Sequence, residues 1–131
     1  MKKDGILNQD LLRVMGSLGH TDRIVICDAG LPIDKNVERI DLAVTKGIVK
    51  FMDVLTPLLN ELVVEKIILA EEIVIKSPAM YQEIANLVKG TPIEFVSHEE
   101  FKKLTKTTKA IIRTGECTPY TNVILQSGVN F

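Results

Sequence analysis

The chain lacks the features that would place it outside the cell or in a membrane. No apolar run approaches the roughly 20 residues that a membrane-spanning helix requires, and no Asn-x-Ser/Thr glycosylation site is present. Its two cysteines, Cys27 in an apolar run and Cys117 in a polar segment, lack the spacing of a disulfide or metal pair. We therefore expect a cytoplasmic protein that is neither exported nor membrane-spanning.

The chain also has no marked excess of positive or negative charge. The 131 residues include 16 lysines and arginines and 17 aspartates and glutamates, which leaves a formal net charge of -1. A nucleic-acid backbone or an anionic membrane surface would favour a clear basic excess. The charge balance therefore predicts that neither is a partner.

Cofactor motifs are also absent. The sequence has no Gly-x-Gly-x-x-Gly fingerprint, no Walker glycine loop, no Cys-x-x-Cys pair and no Gly-x-Ser-x-Gly elbow. His20, His98 and Asp28 would have to meet in space to hold a metal ion, and no pair of ligands at i, i+4 supports this arrangement. We predict no cofactor and no metal.

The composition and patterning that are present are those of a compact α/β protein. With 46% hydrophobic and 25% charged residues, the chain has the size of one domain with one core, so we predict a single domain over 1–131. Helical and strand-like segments alternate, which predicts a three-layer α/β domain with a central mixed sheet of about six short strands flanked by helices. The expected helices span 8–19, 48–62, 77–90 and the segment after Ser97, and the expected strands span 23–28, 40–44, 66–75, 93–96, 110–114 and 122–126.

The only two histidines lie at the ends of predicted elements, where groups that meet a ligand collect. His20 follows the first predicted helix, and the carboxylates of Asp22 and Asp28 are near it in sequence. If they are also near it in space, they and the helix dipole favour the imidazolium, which a general acid needs. The plainer alternative is a histidine that interacts only with the helix dipole.

His98 has the opposite setting, in the first turn of a helix that Ser97 and Glu100 cap as a capping box. The positive end of the helix dipole disfavours a charged ring, so we expect a neutral imidazole that can recognise a hydroxyl group. An exposed surface histidine is an equally plain alternative. Lys102 follows four residues later on the same helix face and could reach the same pocket.

Asp28 closes a buried strand, where open α/β sheets place their ligands and where a carboxylate can accept two adjacent sugar hydroxyls. A turn-forming aspartate is the alternative. The polar segment 114–122 places hydrogen-bonding groups beside the ring of Tyr120, although an ordinary loop with a packed tyrosine would look the same. These residues together favour acid/base chemistry on a small polar molecule.

Several of these motifs, taken together, resemble the family that contains ribose pyranase and fucose mutarotase. The resemblance runs through the whole chain and is carried by the following segments: Met1-Lys-Lys-x-Gly-Ile-Leu-Asn8, Leu18-Gly-His20-Thr-Asp22, Asp28-Ala-Gly-Leu-Pro32, Ser97-His98-Glu-Glu-Phe101 and Arg113-Thr-Gly-Glu116-x-Thr-Pro-Tyr120-x-Asn122-x-Ile124-Leu-Gln-x-Gly128-Val-x-Phe131.

The resemblance implies a cofactor-independent isomerase that interconverts the β-pyranose and β-furanose forms of D-ribose and so supports ribose uptake and phosphorylation. It implies His20 as the proton donor, and a homodecamer of two pentameric rings in which the C-terminal segment completes a neighbour's pocket. The sugar-binding residues that it implies are Asp28, His98, Tyr120, Thr121 and Asn122.

Two other functions stay open at this point. A non-catalytic sugar-binding accessory module of ribose transport would use the same polar cluster only to grip its ligand. A hydrolase would use His20 and Asp28 as a pair, but the sequence offers no obvious nucleophile for it.

Overall fold

A six-stranded mixed sheet forms the centre of the molecule, which we describe over residues 1–131 from a computed structural model. The strand order is β2-β5-β1-β6-β3-β4, and β6 runs antiparallel to the other five. The predicted α/β class with a six-stranded mixed sheet is therefore confirmed. The strands are β1 (Arg23–Cys27), β2 (Glu38–Asp41), β3 (Val64–Ala70), β4 (Ile93–Val96), β5 (Ala110–Arg113) and β6 (Val123–Ser127).

Helices cover both faces of the sheet because its central strands are apolar on both sides. Ile24 and Ile26 of β1 belong to the larger core cluster, with residues of α1, α2 and α4, whereas Val25 belongs to a smaller cluster with Phe101 of α5. The two clusters fill the space between the sheet and the helices on its two faces, so the helices form the outer layers. The helices are α1 (Gln9–Gly16), α2 (Phe51–Glu61), α3 (Glu72–Lys76), α4 (Pro78–Leu87) and α5 (His98–Thr105).

The structure corrects the predicted strand over 66–75. The strand ends at Ala70, and α3 follows at once, with Ile73 fully buried and Ile75 81% exposed. The run of isoleucines looked like one buried strand because periodicity does not separate short apolar strands from short apolar helices. The single helical turn of α3 is fixed by packing against the core, which the sequence window does not contain.

Other boundaries also shift. The first helix ends at Gly16, and not at Gly19, because the residues from Gly19 onwards form a turn of their own, in which Asp22 N donates to Gly19 O at 3.2 Å. The second strand spans 38–41, and not 40–44, and α2 begins at Phe51 and continues through Pro57. Each predicted element is present, several with shifted ends, and α3 is the one element that the sequence pattern does not predict.

The reversed direction of β6 defines the two ends of the sheet. Val123 pairs with Ile26 and Leu69, so β6 begins where β1 and β3 end, which we call the carboxyl edge. Gln126 pairs with Arg23, so β6 ends where β1 and β3 begin, which we call the amino edge. Residues before and after β1 therefore lie at opposite edges.

We predict that Gly115→Ala destabilises the fold, because Gly115 must pack directly against neighbouring backbone. A Cβ at this position would collide with the carbonyl oxygens of Ile48 and Thr45, which cannot move as a flexible side chain can. We expect the free energy of unfolding, measured by urea denaturation, to fall by about 1–3 kcal/mol.

The matched control is Gly16→Ala at the end of α1, where no atom lies within 4 Å of the added Cβ. Alanine favours a helix over glycine by about 0.5–1 kcal/mol, so this variant should lose no stability. Equal losses in both variants would contradict the packing argument.

Candidate functional site

A cavity of about 300 Å³ opens at the carboxyl edge of the sheet. It collects side chains from three places: the loop after β1, the start of α5 and the loop before β6. Three of the side chains predicted to bind a ligand, those of Asp28, His98 and Tyr120, therefore share one cavity. Its lining residues are Asp28, Gly30, Leu31, Pro32, His98, Pro119 and Tyr120.

Asp28 is held by hydrogen bonds to both of its carboxylate oxygens. Oδ1 accepts from Gly30 N at 3.0 Å, and Oδ2 accepts from Asn122 Nδ2 at 3.1 Å. Asn122 Oδ1 in turn accepts from Asp28 N at 2.9 Å, and Asn122 is 1% exposed. Burial raises the pKa of Asp28 above its ordinary value, and the hydrogen bonds from Gly30 and Asn122 partly oppose this rise. The carboxylate is thus fixed in direction and partly desolvated.

His98 begins α5, and its backbone is tied to a neighbouring helix. Its N–H donates to both carboxylate oxygens of Glu72, at 3.1 and 2.8 Å. Ser97 Oγ accepts from Glu100 N at 3.2 Å, so the Ser97 half of the predicted capping box forms. The ring meets Tyr120 edge to face at 5.0 Å, and its Nδ1 is buried without a hydrogen-bond partner. An unpartnered buried nitrogen is costly in a stable core and is more typical of a binding site.

Tyr120 adopts a left-handed backbone conformation, with φ at 60°. Such a conformation costs a non-glycine residue about 1–3 kcal/mol and persists where surrounding contacts enforce it. Here Asn122 N donates to Tyr120 O at 2.9 Å, and Ser77 Oγ donates to Pro119 O at 2.7 Å. The ring of Tyr120 is therefore placed by its loop and by the corner between α3 and α4.

Thr121 and Asn122 lie behind the cavity. Thr121 is fully buried, its hydroxyl has no partner, and neither residue lines the cavity. Both polar atoms of the Asn122 side-chain amide, Oδ1 and Nδ2, are engaged with Asp28, so in this state it positions that carboxylate. Direct contact of either side chain with a ligand stays a prediction.

Two residues that sequence reasoning missed hold the loop after β1. Arg113 donates from Nε to Ala29 O at 3.1 Å and also pairs with Asp41. Ala29 N donates to Glu116 O at 2.8 Å. No local signal marks these roles, because each joins residues far apart in the chain. The predicted pocket residue Lys102 instead pairs with Glu99 at 2.6 Å and borders a neighbouring cavity.

His20 lies at the amino edge, apart from the other candidates. The five-residue strand β1, about 16 Å long, separates it from Asp28. Asp28 is therefore not beside His20 within one chain, so the condition under which it would favour the imidazolium is not met there, and the carboxylate that contacts His20 is Glu65, at 2.9 Å from Nε2. The same separation rules out His20 and Asp28 as an intramolecular hydrolytic pair.

No group of three or more histidine, cysteine, aspartate and glutamate side chains has the geometry of a metal site. Both cysteines are free, and burial raises the pKa of the Cys27 thiol to about 12, which makes it a poor nucleophile. None of the helices has the length and apolar character needed to cross a bilayer. The carboxylate, imidazole and phenol that meet in the cavity are groups that donate, accept and exchange protons.

Comparison with known proteins agrees with this chemistry. Residues 1–130 match the model of the RbsD / FucU transport protein family, and the chain belongs to that family. It is 58% identical to the D-ribose pyranase of Geobacillus thermodenitrificans, over 100% of this chain and 99% of that protein. It is 53% identical to the D-ribose pyranase of Geobacillus kaustophilus, over 100% and 96%. The resemblance seen in the sequence is confirmed.

Solved structures share the fold. The structure of Bacillus subtilis RbsD complexed with D-ribose matches with a TM-score of 0.97 and 51% identity, over 100% of both chains. The fucose mutarotase of Streptococcus pneumoniae in complex with L-fucose matches with a TM-score of 0.82 and 25% identity, over 95% of this chain and 94% of that chain.

We predict that Asn122→Ala both destabilises the protein and raises the pKa of Asp28 further. The substitution removes a buried acceptor from Asp28 N and the amide donor that favours the ionised carboxylate. We expect a loss of about 1–3 kcal/mol in urea denaturation and an upward shift in a carboxyl carbon-13 NMR titration.

The sign of the pH effect follows from the raised pKa. The folded state binds the Asp28 proton more tightly than the unfolded chain, so this contribution to stability is full below about pH 3.9 and is lost as pH rises through the folded-state pKa.

The control is Asn86→Ala on the exposed side of α4, which loses only a contact with Gln82. An unchanged Asp28 titration in Asn122→Ala would refute the assigned cause.

Proposed function

We propose that this chain is a cofactor-independent sugar isomerase that interconverts the β-pyranose and β-furanose forms of D-ribose. The observation that carries the proposal is the cavity in which Asp28, His98 and Tyr120 converge, in a chain similar over its whole length to D-ribose pyranases. In the cytoplasm such an activity would support ribose uptake and phosphorylation by supplying the required ring form.

The reaction needs only reversible opening of a hemiacetal. The ring oxygen gains a proton while the anomeric hydroxyl loses one, and a placed imidazole contributes about 10²- to 10⁴-fold to such steps. In this proposal His20 is the proton donor. Asp28, His98 and Tyr120 bind the sugar hydroxyls from the cavity wall. Thr121 and Asn122 complete the sugar-binding set from the segment behind that wall, so that ring and open forms stay oriented.

His20 and this cavity can serve one reaction only if a second copy of the chain brings them together. The amino edge of one copy, with His20, would dock on the carboxyl edge of the next. Both edges expose large apolar side chains, as surfaces that pack against another protein do. These are Val63, Val129 and Phe131 near the amino edge, and Val44, Ile48, Val74 and Ile75 near the carboxyl edge.

Contact between opposite edges joins two different surfaces, and contacts of this kind form a ring where the rotation between successive copies closes, and an open filament where it does not. A ring therefore explains how every cavity could receive one His20. The C-terminal segment leaves β6 at the amino edge, and Phe131 is 99% exposed there, so it would lie against the neighbour's cavity. The family resemblance implies a homodecamer of two pentameric rings, and we propose that assembly for this chain.

A non-catalytic sugar-binding module is the second candidate. One observation favours it: a single chain has the gripping residues at the cavity but keeps His20 at the far edge. The two functions can be distinguished by measuring ring-form exchange with the protein far below the ribose concentration. An enzyme raises the exchange rate above the spontaneous rate under this condition, whereas a binder must be stoichiometric to alter the distribution of ring forms.

We predict that His20→Ala abolishes exchange between ribose ring forms and leaves ribose binding within about threefold, because His20 moves a proton whereas other residues grip the sugar. Magnetisation-transfer NMR between anomeric protons measures exchange, and calorimetry measures binding. An unchanged exchange rate in the variant would remove His20 from the mechanism.

We also predict that two inactive variants complement each other. His20→Ala co-expressed with Asp28→Asn should recover about a quarter of the wild-type rate, because random mixing pairs an intact His20 with an intact Asp28 of the neighbouring copy in about that fraction of sites. Dual-tag purification isolates mixed assemblies, and magnetisation transfer gives the rate.

The control for complementation is His20→Ala co-expressed with the double variant that carries both substitutions, in which no site can be intact. It should show no recovery. Failure of the first mixture, in assemblies that light scattering shows to be mixed oligomers, would mean that the two halves of the site do not come from different copies.

A further inference from the structure

A row of hydrogen bonds across three neighbouring strands ends on the ring of His20. Arg23 Nε donates to Gln126 Oε1 at 2.9 Å, and Gln126 Nε2 donates to Glu65 Oε1 at 2.7 Å. The other oxygen of Glu65 lies 2.9 Å from His20 Nε2. Each member is thus oriented by the next, so the position of the ring depends on the amino edge of the sheet.

Glu65 owes its direction to an irregularity in β3. The pairing of β3 with β6 shifts register between Val64 and Lys66, so Glu65 sits at a bulge. Bulges re-aim a side chain and recur beside active sites. Here the bulge turns the carboxylate towards both Gln126 and His20.

The backbone beside His20 is held as firmly. Thr21 is, with Tyr120, one of the two non-glycine residues in the left-handed region, with φ at 68°. Its N–H donates to Ser127 O at 2.9 Å, and Gly19 N donates to Asp22 Oδ2 at 2.8 Å. A strained conformation that is enforced on both sides next to a candidate acid indicates that the direction of His20 matters.

From these contacts we propose that Glu65 is a positioning residue for His20, which holds the hydrogen of Nε2 and so makes Nδ1 the nitrogen that exchanges a proton with the sugar. The inference rests on the proposed function of His20. Nδ1 makes no hydrogen bond within the chain, and the side chain is 55% exposed, so this nitrogen is free to meet a ligand.

The other charges around His20 have partners of their own. Asp22 is turned to Gly19 N and to Lys109 at 3.3 Å, and Lys66 pairs with Glu94 at 2.9 Å. Glu65 is therefore the carboxylate that contacts the ring. Hydrogen bonds from Gln126 and His20 lower the pKa of Glu65, so it stays an ionised acceptor at neutral pH.

The proton balance of ring opening is complete with this assignment. The imidazolium transfers its Nδ1 proton to the ring oxygen, the bond between that oxygen and the anomeric carbon breaks, and the anomeric hydroxyl releases its proton to water as the aldehyde forms. The Nε2 hydrogen stays on the imidazole throughout and is donated to the Glu65 carboxylate. Closure on another hydroxyl returns that hydroxyl's proton to Nδ1, while the aldehyde oxygen regains one from water.

The test is Glu65→Gln, which replaces the acceptor by an amide of nearly equal shape that can also donate to Nε2. We expect nitrogen-15 NMR to show His20 mainly protonated at Nε2 in the neutral wild-type ring, and to show this preference lost in the variant. With two histidines in the chain, the His20→Ala spectrum identifies the signal. We expect kcat for exchange to fall about tenfold with KM within about twofold, because orientation is lost and grip is not.

The matched control is Glu38→Gln on β2, four strands away from Glu65, which makes the same substitution in an exposed ion pair with Arg13 and should leave tautomer and kcat unchanged. Glu65→Asp, which keeps a carboxylate, should recover part of the rate. Wild-type kcat and tautomer in Glu65→Gln, with His20→Ala inactive, would overturn this inference alone. A fully active His20→Ala would overturn both this inference and the assignment of His20.

Discussion

The reversed strand β6 is the constraint on which both halves of the candidate site depend. Because it runs against its neighbours, it enters the sheet beside the end of β1 and leaves beside its beginning. Asn122, just before it, therefore reaches Asp28, whereas Gln126, near its end, reaches Glu65. A parallel strand in this position would have carried both residues to the opposite edges, with Asn122 away from Asp28 and Gln126 away from Glu65. One short segment thus organises two polar clusters at opposite ends of the molecule.

The proposed division of the site between two edges would give assembly a chemical reason. The cavity residues are partly buried and already oriented, with Asp28 fixed by Asn122 and His98 fixed through Glu72. His20 is exposed and held by a partner of its own, which suits a group that is presented to a neighbouring copy. An exposed ion pair adds little to stability, so the contact between Glu65 and His20 matters for direction rather than for holding the fold.

Strain marks both clusters. Thr21 and Tyr120, the non-glycine residues with positive φ, lie next to the candidate acid and on the cavity wall. Each is enforced by hydrogen bonds from distant segments, to Ser127 in the first case and through Ser77 in the second. Such conformations persist where the surroundings over-determine them, so the stability of the sheet supports geometry that the loops would not adopt alone.

Local pattern was enough to predict the α/β class, the helix cap at Asn8 and the buried strand just before Asp28, because each depends on neighbours within a few residues. The same reasoning left open whether His20 and Asp28 meet in space, and it extended β3 through Ile75. Both points depend on packing, which the local pattern does not contain. The contacts that aim the functional groups, such as Glu65 on His20, join residues tens of positions apart. The sequence by itself determined which chemical groups are present and which elements carry them. The tertiary structure decided which of them meet, because strand order and strand direction set those distances.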